Sequence, residues 1–260
     1  MTQALFVLFC VLWGGSLSLA AVPTHKVIRA TGKIKIDGKL DEPSWGKTKT
    51  LPKFVFPWWK SGLKEQTTVR VLYDDRYLYV SYRCDDAHIS ARRTKRDSQV
   101  YLDDCVEIFI APNPQTPLNY FNFEMNARGA LLDQHHPKGP GPTKREWNSK
   151  GVRIAVTRVG TLNKDDDRDR QWTLEAAIPW SNFRGVAKSI PPARGDVWHV
   201  NLNRCGGVTN QQYSQWSASQ TKAPQFHAPK DFGRFSFVGK PKAATEKRKL
   251  GGLLKKLFRR

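Results

Sequence analysis

Cysteine is scarce in this chain, with 4 in 260 residues, and methionine is scarcer, with 2. No two cysteines stand in a C-x-x-C pattern, so the usual zinc and thiol-redox spacings are excluded. There is no P-loop, dinucleotide fingerprint, G-x-S-x-G or H-E-x-x-H, which leaves nucleotide, serine-hydrolase and zinc-protease chemistry without support. Acidic residues are few as well, 23 against 43 Lys and Arg, for a net charge of +20. Such a balance favours anionic surroundings. Past Ala21 no long apolar run occurs, and no stretch holds a 3.6-residue period long enough for a sustained amphipathic helix.

The two ends stand apart from the rest. "MTQALFVLFCVLWGGSLSLAA" is an apolar run followed by small residues, with Ser18 and Ala20 in cleavage-like spacing. It reads as a signal peptide over residues 1–21 and places the mature chain outside the cytoplasm, secreted or periplasmic. Cleavage leaves Cys84, Cys105 and Cys205, an odd set without close spacing that reads as buried free thiols. Residues 240–260 carry nine Lys or Arg against one Glu. Leu250, Leu253, Leu254, Leu257 and Phe258 lie among these cations. The segment reads as a basic tail, outside any core, suited to an anionic glycan or cell surface; export argues against nucleic acid as a partner.

Between them the hydrophobic period is two. "TVRVLY" (Thr68 to Tyr73) and "YLYVSYRC" (Tyr77 to Cys84) flank "DDR", a tight hairpin signal. "CVEIFIAP", "YFNFEMNA", "GVRIAVTRV", "QWTLEAAIPW", "VWHVNLNRC", "YSQWSA" and "GRFSFVG" repeat the style between Gly, Pro, Asn or Asp. Many short strands predict an all-β fold, a two-sheet antiparallel β-sandwich of jelly-roll type, over residues 22–239. "DQHHPKGPGPTKREW" (Asp133 to Trp147) reads as a long loop, and "NKDDDRDR" (Asn163 to Arg170) as a charged hairpin tip. In "FVFPWWKSG" an extended chain sends Phe54, Phe56 and Trp58 to one side and Trp59 to the other. Trp58 is therefore expected in the core and Trp59 on the surface, as a platform for a ligand. Trp45, Trp172, Trp180, Trp198 and Trp216 read as packing residues.

The ordered set "IDGKLDEPSWGKT", "VRVLYDDRYLYVSYRCDD", "LDDCVEIFIAPN", "YFNFEMNARGALLD", "WTLEAAIPWSNF", "GDVWHVNLNRC", "QWSA" and "FHAPKDFGRFSF" resembles the family 9 carbohydrate-binding modules. It runs from about Lys33 to Val238. The resemblance implies a β-sandwich that binds an oligosaccharide or polysaccharide and assists secreted polysaccharide-degrading enzymes without catalysing. It also implies an aromatic pair around a sugar, which falls here at Tyr101 and Phe226, and a hydroxyl-binding Glu at Glu107. An Arg of the family pattern falls at Glu124, a reversal of charge; Asn126, at the end of the same strand, joins the candidate ligand contacts. The chemistry agrees, since aromatic rings cover the apolar face of a pyranose and carboxylates or amides fix its hydroxyl rim. Calcium is the candidate cofactor. Asp37, Asp41, Asp85, Asp86, Asp103 and Asp104 are rich in oxygen, with Asp85, Asp86 and Asp104 the narrower set, although the spacing is not that of an EF-hand.

Three other readings compete. A glycosidase needs two opposed carboxylates, for which Glu107 and Glu124 are the available pair. A haem-binding sandwich would use Met125 with His135 or His136. A surface-attachment protein would work through its basic tail.

Overall fold

The computed structural model describes residues 21–141 and 147–239. The basic tail, and all of the expected signal segment except Ala21, lie outside the described residues. The described chain forms β1 (Thr24–Arg29), the short helix α1 (Pro43–Lys47), β2 (Thr67–Tyr73), β3 (Tyr77–Asp85), β4 (Cys105–Ala111), β5 (Tyr120–Asn126) and β6 (Leu131–His136). It continues with β7 (Arg153–Val159), β8 (Gln171–Pro179), β9 (Val197–Cys205), β10 (Tyr213–Gln215) and β11 (Gly233–Val238). The expected hairpin is present, and Asp74 closes it: its Oδ1 accepts from the amides of Arg76 at 2.7 Å and Tyr77 at 2.8 Å. This is how an Asp mimics a backbone turn.

The strands follow one hydrogen-bonded path, β6-β5-β4-β9-β11-β1-β2-β3-β8-β7, with β10 attached to β9. This corrects the expectation of two separate, wholly antiparallel sheets. β1 runs parallel to both its neighbours, β11 and β2, and its two ladders join the halves of the fold. Side-chain alternation sets which face of a strand is buried, but it carries no information on strand direction. The sheet curls so that its halves share one core. Val106, Ile108 and Ile110 of β4 and Phe121, Phe123 and Met125 of β5 lie in the same buried cluster as Val69, Val71, Val80, Tyr82 and Leu174. Trp45, Trp172, Trp180, Trp198 and Trp216 are all buried, as their motifs predict, and Cys84, Cys105 and Cys205 are buried free thiols.

A second correction concerns Asp133 to His136, which form the outer strand β6 and not a loop. Their partners are tertiary. Asp133 receives the Arg96 guanidinium at 2.7 Å and the Ser149 amide at 3.0 Å. The His135 ring stacks on Phe121 at 4.3 Å and the His136 ring on Tyr120 at 4.5 Å. A polar sequence thus becomes a buried strand because Asp133 is paired and both histidine rings are stacked by residues elsewhere in the chain.

Candidate functional site

The alternation of β4 and β5 sends Val106, Ile108, Phe121 and Phe123 into the core and Cys105, Glu107, Phe109, Asn122, Glu124 and Asn126 to the opposite face. Register then aligns a row across four strands: Leu132 of β6 beside Glu124, Glu124 beside Glu107, and Glu107 beside Asn203 of β9. Above this row lies a cleft of about 660 Å3. Glu107, Phe109, Glu124 and Cys205 belong to its strands, while Tyr101 and Leu102 come from a short 3-10 helix (Val100–Leu102) and Phe226 and His227 from a loop.

The two carboxyls are removed from water, Glu107 being 2% and Glu124 4% exposed. The Cys205 thiol and the Asn203 amide nitrogen donate to Glu107, each at 3.4 Å. Asn122 donates to Glu124 Oε1 at 2.8 Å, and Glu124 Oε2 has no partner among the described residues. Among the described residues no Lys or Arg lines the cleft. Burial, without a cation to offset it, raises both carboxyls above the ordinary range; Glu107 raises Glu124 further through charge repulsion. At neutral pH the pair therefore holds a proton and offers both donor and acceptor oxygens. On the same face the Tyr120 hydroxyl meets His227 Nδ1 at 2.8 Å, and His136 Nε2–H donates to Asn122 Oδ1 at 2.9 Å. Burial lowers His227 to about 4 and His136 to about 3, so both rings are neutral.

Of the expected site residues, Tyr101, Glu107, Glu124 and Phe226 converge on this cleft. Tyr101 presents an exposed ring, 39% accessible, whereas Phe226 is 8% exposed and packs at 5.8 Å from Trp58. Asn126 is drawn inward: its nitrogen donates to Arg93 O and Asp103, and its oxygen accepts from the amides of Arg128 and Ala130. All its capacity is occupied by the turn it organises. Trp59 is exposed and lines a neighbouring hollow that shares Tyr213 and Pro224 with the cleft. Trp58 does not join the main core. A turn at Phe56, whose carbonyl accepts from Trp59 N at 3.3 Å, swings it into the small cluster behind the cleft wall.

The acidic set is dispersed among protein partners: Asp37 pairs with Lys35, Asp103 with Arg93 and Asp86 with Arg204. Asp86 Oδ2 accepts from the fully buried Arg204 at 3.0 Å, with Glu65 at 3.6 Å. Asp104 accepts from Ser90 N, Ser90 Oγ and Gly207 N, and Asp85 is exposed. Burial and the Asp86 charge push Asp104 up to about 7. Among the described residues no group of three or more His, Cys, Asp or Glu is arranged to hold a metal. The haem candidates are likewise divided between the two faces: Met125 lies in the core and His136 on the cleft side. His135 lies flat on Phe121.

Phe109, Cys205, Tyr213 and His227 were not placed at the site by the sequence. Phe109 was accessible to it, sharing the phase of Glu107 two residues away. Cys205 and Tyr213 reach the cleft only through cross-strand register.

The model of Carbohydrate-binding family 9 matches residues 47–237. The chain belongs to that family. The family 9 match spans every strand except β1 and the last residue of β11, and it includes the whole lining of the cleft. Among solved structures, a candidate carbohydrate-binding protein from Bacteroides uniformis is 24% identical, with a TM-score of 0.70, over 84% of this chain and 100% of that one. A family 9 module from Caldicellulosiruptor kristjanssonii in complex with cellotriose is 15% identical, with a TM-score of 0.60, over 85% of this chain and 96% of its own. The same organism's module in complex with glucose gives 15% and 0.57, over 84% and 98%. At these identities the likeness is one of fold. No curated protein matches the chain.

Proposed function

We propose that this protein is an exported, non-catalytic sugar-binding module that holds a saccharide unit in the cleft over β4, β5 and β9 and assists the breakdown of a polysaccharide. The observation that carries the reading is the convergence of an exposed aromatic wall, Tyr101, with a buried carboxyl pair, Glu107 and Glu124, on one cavity. The ring covers the apolar C–H face of a pyranose, and the paired carboxyls, sharing a proton, both accept from and donate to its hydroxyls. Family 9 modules found in complex with cellotriose and with glucose support a sugar as the ligand.

Hydrolysis is the second reading, because two carboxyls do share the cleft. They stand side by side on adjacent strands, on a single floor, and burial favours the protonated form of both. A glycosidase sets its two carboxyls on opposite sides of the bond it cleaves, one as acid and the other as nucleophile or base. The arrangement therefore suits binding better.

A panel of mono- and oligosaccharides titrated calorimetrically against the full chain tests the proposal. Saturable binding is expected, with Tyr101→Ala weakening it about ten-fold, or about 1.4 kcal/mol. Glu107→Gln weakens it to a similar degree. An unaltered affinity in both variants, or sugar release from an oligosaccharide by the wild-type chain, would overturn the reading.

A further inference from the structure

The hollow beside the cleft has a volume of about 570 Å3, and Trp58, Trp59, Lys60, Tyr213 and Lys222 are among its lining residues. It shares a wall with the cleft, since Tyr213 and Pro224 line both. The two tryptophans behave differently there. Trp58 is a strut, its indole N–H donating to Thr221 O at 2.8 Å and its ring packed on Phe226. Trp59 is 43% exposed, and the Lys64 ammonium sits 4.3 Å from its ring centre. The exposed part of this indole, in a concave wall, offers a flat apolar surface of the kind on which a pyranose face stacks.

Charge divides the two cavities. Among the described residues the cleft is lined by Asp97, Glu107 and Glu124 with no Lys or Arg, whereas the hollow is lined by Lys60 and Lys222 with no Asp or Glu. An anionic sugar is disfavoured over the buried carboxyl pair and favoured beside the lysines. We infer that this hollow is a second sugar subsite, which takes the unit adjacent to the one in the cleft and prefers that unit to carry a carboxylate. The inference rests on the sugar-binding reading of the cleft and adds to it a length preference and a charge polarity along the bound chain.

The test titrates the full chain with neutral glucose and xylose oligomers of one to four units. The same oligomers bearing a single glucuronate or a single sulfate ester form the second arm. Affinity is expected to rise at least five-fold from one unit to two, and again when one unit carries glucuronate. Trp59→Ala removes the gain from the second unit and leaves single-unit affinity unchanged. The double variant Lys60→Gln/Lys222→Gln removes only the gain from charge. Equal affinity for one and two units overturns the subsite while the cleft reading stands, as does an equal loss for single and longer ligands in Trp59→Ala. A gain from sulfate alone overturns the carboxylate assignment. Absence of binding by any oligomer to the wild-type chain overturns both readings.

Discussion

Glu107 combines two properties that ordinarily conflict. It is almost wholly buried, yet among the described residues the donors to its oxygens are a thiol and an amide at 3.4 Å. A core position under selection for stability alone would carry an apolar side chain there, since burying a weakly partnered carboxyl costs free energy. The cost depends on pH in a defined sense. The unfolded carboxyl titrates at its ordinary value of 4.5, and the folded one at about 7. As pH rises from 4.5 to 7 the unfolded chain loses its proton first, so folding stability falls across that window and stays low above it. Asp104, also raised to about 7, adds to the same decline. Glu107→Gln removes its share and relieves Glu124, so the variant is expected to gain up to about 3 kcal/mol at pH 8. It gains almost nothing at pH 4, and it loses sugar affinity. Denaturant melts at the two pH values check this; a variant less stable than wild type at pH 8 would remove the argument. Arg204 shows the opposite solution. It is fully buried, but Asp86, Glu65 and two backbone carbonyls surround it, so the charge is compensated in place.

Among the elements β1 has a role out of proportion to its length. Its pairing with β11 covers Thr24 to Ile28, and its pairing with β2 covers Ile28 and Arg29. Without it both neighbours become open edges, and the core loses Val27, which is fully buried. Exposed edges of this kind invite pairing with other chains. A chain beginning at Thr31 is therefore expected to lose its cooperative melt and to elute as oligomers in size-exclusion chromatography. A monomer that melts as sharply as the longer chain would show that the halves hold together through their core alone. Element by element, the hairpin at Asp74 and most later strands were legible, because alternation and turn residues act over a few positions. β6 was not, because Asp133, His135 and His136 become strand residues through Arg96, Ser149, Phe121 and Tyr120, which no local pattern connects to them.

For the whole molecule, positive charge and sugar recognition are separable. The net charge is +20 and the tail 240–260 holds nine of the Lys and Arg, whereas among the described residues no Lys or Arg lines the cleft. Removing residues 240–260 is expected to leave affinity for neutral oligosaccharides within two-fold of the full chain. Retention on an anionic column should fall at the same time. A ten-fold loss for neutral sugars would place recognition in the tail.

The sequence by itself determined most of the strands, the burial of five tryptophans and the face on which Glu107 lies, because period-two alternation and turn chemistry are local. Its ordered motifs also pointed to the family, and with it to Tyr101, Glu107, Glu124 and Phe226. Only the tertiary structure decided that Glu107 and Glu124 stand opposite each other, that Arg204 balances the acidic cluster, and that Asn126 belongs to a turn. It also turned Trp58 inward behind Phe226 and left Trp59 facing a hollow beside the cleft. These outcomes depend on strand register and on loops returning from residues far apart in the chain, and neither leaves a periodic trace in the sequence.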